Sequence, residues 1–252
     1  MIQFTLKIAD FAIGVEAIYE TTREYCKDYL WGGNVDFTIC ITPFDIEFER
    51  EKNARAAQFD TSVTRNPSDE HLEVISLQRK LSEKLFDYNT LLFHGSAIAF
   101  DGVAYLFTAK SGTGKSTHTR LWREVFGERV VMVNDDKPFL TVTDGEVVAH
   151  GSPWNGKHRL GNNISVPLKA ICILKRGTDN RIDEISAKEA LFMLLQQSNR
   201  PSDPLMMPKY MEIIDGLCQK VKFYTLACNM NPEAAEVAFR GMHNYKQNLL
   251  KD

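Results

Sequence analysis

AKSGTGKST, residues 109–117, is the stretch on which the reading of this chain turns. Upstream, Val103 to Thr108 is an apolar, β-favouring run. Downstream, Leu121, Trp122, Val125 and Phe126 recur at helical spacing, so the glycine-rich segment joins a strand to a helix. Glycines let backbone N–H groups turn inward onto phosphate oxygens, and the first turn of the following helix points its positive end at the same oxygens. In such a cradle Lys115 adds a mobile cation and Ser116 offers a hydroxyl to Mg²⁺. Ser111, Gly112, Thr113, Gly114, Lys115, Ser116 and Thr117 are therefore the candidate nucleotide-binding segment, a Walker A loop in which Ala109 stands where the usual pattern has Gly. The plain alternative is a glycine-rich turn, which leaves the flanking strand and helix as coincidence.

A second constellation follows. Arg129 to Val133 is a short β-branched run ending in Asn134, Asp135 and Asp136, which places two adjacent carboxylates where a buried strand emerges beside the loop. Paired acids at a strand end repel one another unless a cation or hydrogen-bond donors offset the charge, and a Mg·nucleotide complex does so. The alternative is a solvated Asn-Asp-Asp-Lys-Pro turn, since these residues favour turns anyway.

His94-Gly95, the hairpin at Asp101-Gly102, the Ser-Gly-Thr-Gly-Lys-Ser loop and the Asp135-Asp136 pair stand in the order and approximate spacing of the HPr kinase and phosphoenolpyruvate carboxykinase superfamily, which the chain resembles. The resemblance covers residues 91 to about 140 and reaches more loosely to the strand near Ile171. It implies an α/β fold with an HPr kinase-like P-loop core, ATP and Mg²⁺ as donor and cofactor, and a hydroxyl-bearing acceptor. It also implies that Asp135 takes the acceptor's hydroxyl proton, that Asp136 joins Ser116 in binding metal, and that His94 sits near the transferred phosphate. HPr kinases are oligomers, so a homo-oligomer is a further expectation. Read from the residues alone, His94 is more commonly a core histidine on an apolar strand, and only the match to the His-Gly of HPr kinases raises a functional role beside that reading.

Composition sets the outer bounds. With 252 residues, 44% hydrophobic and 25% charged, the chain is an ordinary globular one. A net charge of −3 argues against nonspecific nucleic-acid binding, which depends on Lys and Arg neutralising phosphates. Cys26, Cys40, Cys172, Cys218 and Cys228 are scattered without paired metal spacing and read as buried thiols in a reducing cytosol. The opening residues alternate like a strand and carry Lys7 and Asp10, unlike a signal peptide, and no apolar run is long enough to span a membrane. A soluble, cytoplasmic protein is expected.

Two regions are expected, an N-terminal α/β region over 1–90 and the P-loop core over 91–252. In the first, strands are predicted at Phe4 to Ile8 and Asp36 to Thr42 with a helix from Glu16 to Leu30 between them. The alternation of Phe44, Ile46 and Phe48 with acids predicts another strand, Phe59 to Ser68 a surface loop, and the stripe Val74, Leu77, Leu81 and Leu85 a helix beginning at Asp69. In the second, Leu91 to Phe100 and Val103 to Thr108 are read as a hairpin, as are Phe139 to Val142 and Val147 to His150. Ala170 to Leu174 reads as a central strand, ended by Lys175 and Arg176, which are left out of the site. Ser186 and Glu189 form a capping box, Tyr210 to Lys220 is helical, Phe223 to Ala227 a strand, and Asn231-Pro232-Glu233 opens a last helix.

Gly151 to Asn163 has no period, three glycines, the cations Lys157 and Arg159, and Trp154. It is read as a lid closing over an anionic ligand, with Lys157 or Arg159 reaching the transferring phosphate and Trp154 packing on nucleotide or acceptor. Asp135, His94, Lys115 and Lys157 are thus the candidate catalytic residues of an ATP- and Mg-dependent kinase. Two other classes stay open: a nucleotide-dependent switch using the same loop without transfer, and a carboxykinase-like lyase, disfavoured because carboxykinases are far longer.

Overall fold

The computed structural model describes residues 1–60 and 64–243. These form two compact units, Met1–Leu85 and the chain from Phe86 onward.

In the first unit, β1 (Ile2–Ile8) and β2 (Phe11–Ala17) form an antiparallel hairpin, closed by Ala9 and Asp10 at φ 50° and 67°. The short helix α1 (Glu20–Tyr25) leads to β3 (Phe37–Cys40), parallel to β2, and then to α2 (Pro43–Ala56) and α3 (Asp69–Leu85). Two expectations are corrected here. The helix predicted over Glu16 to Leu30 shrinks to α1, because Glu16 and Ala17 still pair with Gln3 and Ile2 in the hairpin. The strand predicted at Phe44 to Phe48 is helix α2. Thr42 and Asp45 close a capping box around Pro43 in the first turn, and these start signals outweigh the alternation. The apparent inward face is split: Phe44 is 88% and Phe48 41% exposed, while Ile46 and Glu49, three residues apart, are buried. Glu49, Asp45 and Glu83 surround the Arg79 guanidinium at 2.6, 3.2 and 3.5 Å, which ties α2 to α3. Buried Glu73 on α3 accepts from the Ile18 and Tyr19 amides at 2.6 and 3.0 Å and from the Thr22 hydroxyl, holding the start of α1. Part of the loop predicted over Phe59 to Ser68 lies outside the described residues.

The second unit is built on a curled nine-stranded sheet. Its strands are β4 (Thr90–Leu92), β5 (Ser96–Phe100), β6 (Val103–Thr108), β7 (Val130–Asn134), β8 (Phe139–Val142), β9 (Val147–His150), β10 (Ser165–Arg176), β11 (Arg181–Ile185) and β12 (Lys222–Cys228). The twelve-residue β10 is the hinge of the architecture. Its first residues pair antiparallel with β9, and past an irregularity between Leu168 and Ala170 it runs parallel to β6 on one side and β12 on the other.

Both faces of these parallel strands are covered, which is why they read as unbroken apolar runs. Ala104, Leu106, Ile171, Ile173 and Phe223 face a core shared with α5 (Ala187–Gln197) and α6 (Met207–Lys220). Tyr105, Phe107, Cys172, Leu174 and Leu226 face a second core containing Trp122 of α4 (Lys115–Phe126) and Ala234, Ala235 and Ala238 of α7 (Glu233–His243). The capping box at Ser186 and Glu189 is present. Of the five cysteines expected to be buried thiols, Cys26 and Cys172 are buried, whereas Cys40, Cys218 and Cys228 are half-buried.

One correction bears on the site. The strand expected over Leu91 to Phe100 is two strands, broken at Phe93 to Gly95. β4 pairs with β8 and β5 with β6, so His94 sits where the chain passes from one partner to another. Its amide donates to Gln197 O at 2.6 Å and that of Gly95 to Asp136 O at 3.0 Å.

Candidate functional site

β6 ends at Thr108 and α4 begins at Lys115, so residues 109–114 are the connection between them. Gly112 at φ 73° and Gly114 at φ 118° occupy conformations that a side chain strains to adopt, and these two positions wrap the loop back on itself. Ala109, the departure from the usual glycine, is buried in the core and has no positive φ, so its methyl group is accommodated. Gly114 caps the helix, the His118 amide returns to Gly114 O at 2.9 Å, and the amides before it are those that an α-helix leaves without internal partners. Lys115 folds back to within 3.4 Å of Ala109 O. Burial lowers its pKa below the ordinary lysine value, working with Lys137 and against the charges of Asp136 and Asp135.

The acidic pair emerges from β7 at the same end of the sheet. Asn134, fully buried, organises the turn: its Oδ1 accepts from the Asp136 and Lys137 amides at 2.8 and 2.7 Å, and its Nδ2 donates to Ser152 O at 3.0 Å. The two carboxylates then diverge. Asp135 is 6% exposed and accepts from the Ser96 hydroxyl at 2.7 Å, while Ser96 also meets the Thr119 hydroxyl of α4 at 3.0 Å. The Asp136 side chain is 37% exposed, with its Oδ1 3.3 Å from His94 Nε2. Burial acts to raise the Asp136 pKa, but the His94 contact and the charges of Lys137, His94 and Lys115 outweigh it and hold the carboxyl below its ordinary value.

The stretch Gly151 to Asn163 is irregular, as expected, but it is pinned at both ends rather than hinged. Gly151 N donates to Ile164 O at 3.0 Å, Asn162 Nδ2 to Met132 O at 2.8 Å, and buried Ser152 to Lys137 O at 2.6 Å. Trp154 is 5% exposed and packs edge-on against Phe139 with ring centroids 6.3 Å apart, so it anchors the loop. At the tip the backbone turns back on itself. A turn closed by Arg159 N on Gly156 O presents exposed Lys157, and Gly156 lies so near Asp135 that a Cβ there would stand 2.9 Å from Oδ2.

His94, Ser111, Gly112, Gly114, Lys115, Ser116, Thr117, Asp135, Asp136 and Lys157 all border one cavity of about 720 Å³, together with Asn155 and His158. Thr113 borders a neighbouring compartment instead, and Arg159 does not line the cavity. Sequence reasoning passed over three contributors. Ser96 was invisible because nothing in its strand marks it, although it lies two residues from His94. Asn134 was seen only as a turn former. Arg176, set aside as an ordinary strand end, donates through Nη2 to Gly112 O at 2.7 Å and so clamps the glycine-rich loop. Among the described residues no three acids, histidines or cysteines cluster closely enough to form a metal site on their own.

Fold and site together define a mixed α/β protein in which one curled sheet brings a glycine-rich strand–loop–helix and an acidic strand end to a common cavity. Residues 62–240 match the family described as SynChlorMet cassette protein ScmC, and the chain belongs to that family. No curated protein is similar to it in sequence. Among solved structures, it is similar to the Hpr(Ser) kinase/phosphatase from Coxiella burnetii at 12% identity and a TM-score of 0.36, over 60% of this chain and 94% of that one. No described helix is long and apolar enough to cross a membrane.

Proposed function

We propose that this protein binds a Mg·nucleoside triphosphate, ATP in the first instance, on the Ser111 to Thr117 loop and transfers its terminal phosphoryl group to a hydroxyl of an acceptor. The observation that carries the reading is the convergence of Lys115, Ser116, Asp135, Asp136 and His94 on one cavity. A positive helix start, a partly desolvated lysine and two carboxylates of different environment make a site for an anion and its counter-cation. The donor set suits Mg²⁺, which is usually held by one or two carboxylates or hydroxyls plus substrate phosphates and so needs no three-residue protein cage. Ser116 and Asp136 are the residues that would hold it, and the ion would neutralise charge on the phosphates.

Every other part falls to the chain itself. The loop amides and Lys115 bind the β and γ phosphates. Asp135, fixed by the Ser96 hydroxyl, takes the proton of the attacking acceptor hydroxyl. His94, beside Asp136, faces the transferred group, and Lys157 at the tip of its turn supplies charge to the equatorial oxygens as the acceptor arrives. The acceptor is a protein or peptide serine or a small hydroxyl compound. Incubation with γ-labelled ATP and a cell extract tests the reading. Label should pass to a discrete acceptor with wild type and not with Lys115→Ala. Lys115-dependent ATP binding with no transfer to any acceptor would make the protein a nucleotide switch instead.

A further inference from the structure

Next to the catalytic cavity lies a second compartment of about 520 Å³, which shares Gly112, Gly114 and Thr117 with it. Its character is different. Leu121 from α4, Leu174 near the end of β10, Cys228 at the end of β12 and Met230 just beyond supply apolar walls, and no carboxylate lines it. His118 on the same wall is neutral, since burial pushes its pKa down to about 3, and its Nε2 accepts from Trp122 Nε1 at 3.1 Å. The lining cation, Arg176, is engaged with Gly112 O. Nor is the wall a loose loop: Asn229 N donates to Asn180 Oδ1 at 3.0 Å, its Nδ2 to Thr178 O at 2.9 Å, and its Oδ1 accepts from Asn231 N at 2.9 Å. Met230 is nevertheless 77% exposed, a large apolar side chain at the rim of a preformed apolar slot.

We propose that this compartment seats the heterocyclic base of the nucleotide, between the Leu121 and Leu174 walls and the Cys228 to Met230 edge. The inference rests on the reading of the glycine-rich loop as the phosphate site. A ligand whose phosphates lie on the Gly112 to Thr117 amides has its other end within reach of a slot bordered by the same residues. Such a slot, uncharged apart from an arginine already bonded to the loop, favours a flat, neutral ring over a phosphate or a carboxylate acceptor. Its volume lies within the range of ordinary small-molecule sites, roughly 300–1,000 Å³. Because the Asn229 carboxamide is committed to the loop at both ends, ring burial rather than Asn229 supplies the affinity.

The test compares MgATP with magnesium tripolyphosphate, which carries the phosphates without a base, by calorimetry on wild type, Met230→Asp and Lys115→Ala. Met230 is exposed enough to replace without disturbing the fold. Wild type should bind MgATP at least tenfold tighter than tripolyphosphate. Met230→Asp should remove most of that difference while leaving tripolyphosphate affinity unchanged, and Lys115→Ala should weaken both ligands. MgATP, but not tripolyphosphate, should also slow maleimide alkylation of Cys228, with half-buried Cys218 as the internal reference. Equal, Lys115-dependent binding of both ligands with Cys228 unprotected would overturn the base compartment and leave the phosphate site standing. Binding of neither ligand would overturn both.

Discussion

The Ser96 hydroxyl donates to Asp135 Oδ1 at 2.7 Å and so fixes one of two adjacent carboxylates from inside the sheet, while its neighbour Asp136 looks outward to His94. On the proposed kinase reading, this difference in partners predicts a division of labour that mutation can separate. Asp135→Asn should leave MgATP affinity nearly intact and cut turnover by on the order of a hundredfold or more, whereas Asp136→Asn should weaken Mg dependence as well. Ser96 acts through Asp135, so Ser96→Ala should lower kcat by about tenfold with KM little changed, and Ser96→Thr should recover part of it. Identical profiles for the two aspartate variants would remove the distinction.

Gly156 offers a sharper geometric test. A methyl group there would stand 2.9 Å from Asp135 Oδ2, closer than a Cβ tolerates, so the carboxylate or the turn must shift. Gly156→Ala should reduce turnover at least tenfold with a melting temperature within a few degrees of wild type, because the shift is confined to the turn and the Asp135 carboxylate. Unchanged kinetics would show that the Asp135 position is not critical.

Lys157, at the exposed tip of the same turn, should matter for rate rather than binding. Lys157→Ala is expected to depress kcat with ATP affinity preserved. Trp154, packed on Phe139 away from the cavity, should show little fluorescence change on nucleotide binding. A large change would mean that the loop rearranges as a whole.

Charge gives two pH signatures of opposite sign. Burial lowers the Lys115 pKa, and bound phosphates would favour its charged form. MgATP affinity should therefore fall as pH rises through the lowered pKa, with proton uptake on binding visible there as a buffer-dependent enthalpy. Asp136 has a depressed folded pKa, so its contribution to stability is present above the unfolded carboxylate value near 3.9 and is lost as pH falls through the folded one. Asp136→Asn should flatten the acid limb of the stability curve in that window, and an unchanged limb would contradict the His94 contact and the influence of the Lys115 charge.

How much of this was legible in the sequence differs from element to element for physical reasons. The glycine-rich loop, the parallel strands and the capped helix after Ser186 announce themselves through local chemistry: special φ angles, two-sided burial and side-chain caps. The α2 error came from a pattern carried by Phe44 and Phe48, which the fold leaves outside, so periodicity pointed the wrong way while the Thr42 cap and Pro43 pointed the right one. Trp154 was misread because an irregular loop and a packed one look alike in sequence; only Phe139 on a neighbouring strand explains the tryptophan. Ser96 and Arg176 belong to the site through contacts 39 and 64 residues away in the chain, which no local pattern encodes.

In the first unit, Glu73 is buried with three donors on its carboxylate, so Glu73→Ala leaves the Ile18 and Tyr19 amides and the Thr22 hydroxyl without their acceptor. A loss of about 2–3 kcal/mol is expected by denaturant titration, with a smaller loss for Thr22→Val.

The most direct measurement is a calorimetric titration of MgATP into wild type and Lys115→Ala at neutral pH. Saturable binding by wild type, with most of the affinity lost in the variant while its circular dichroism and melting curve stay unchanged, is the predicted result. Equal ATP binding by the two proteins, or none by wild type, would contradict the assignment of the Ser111 to Thr117 loop as a nucleotide phosphate site.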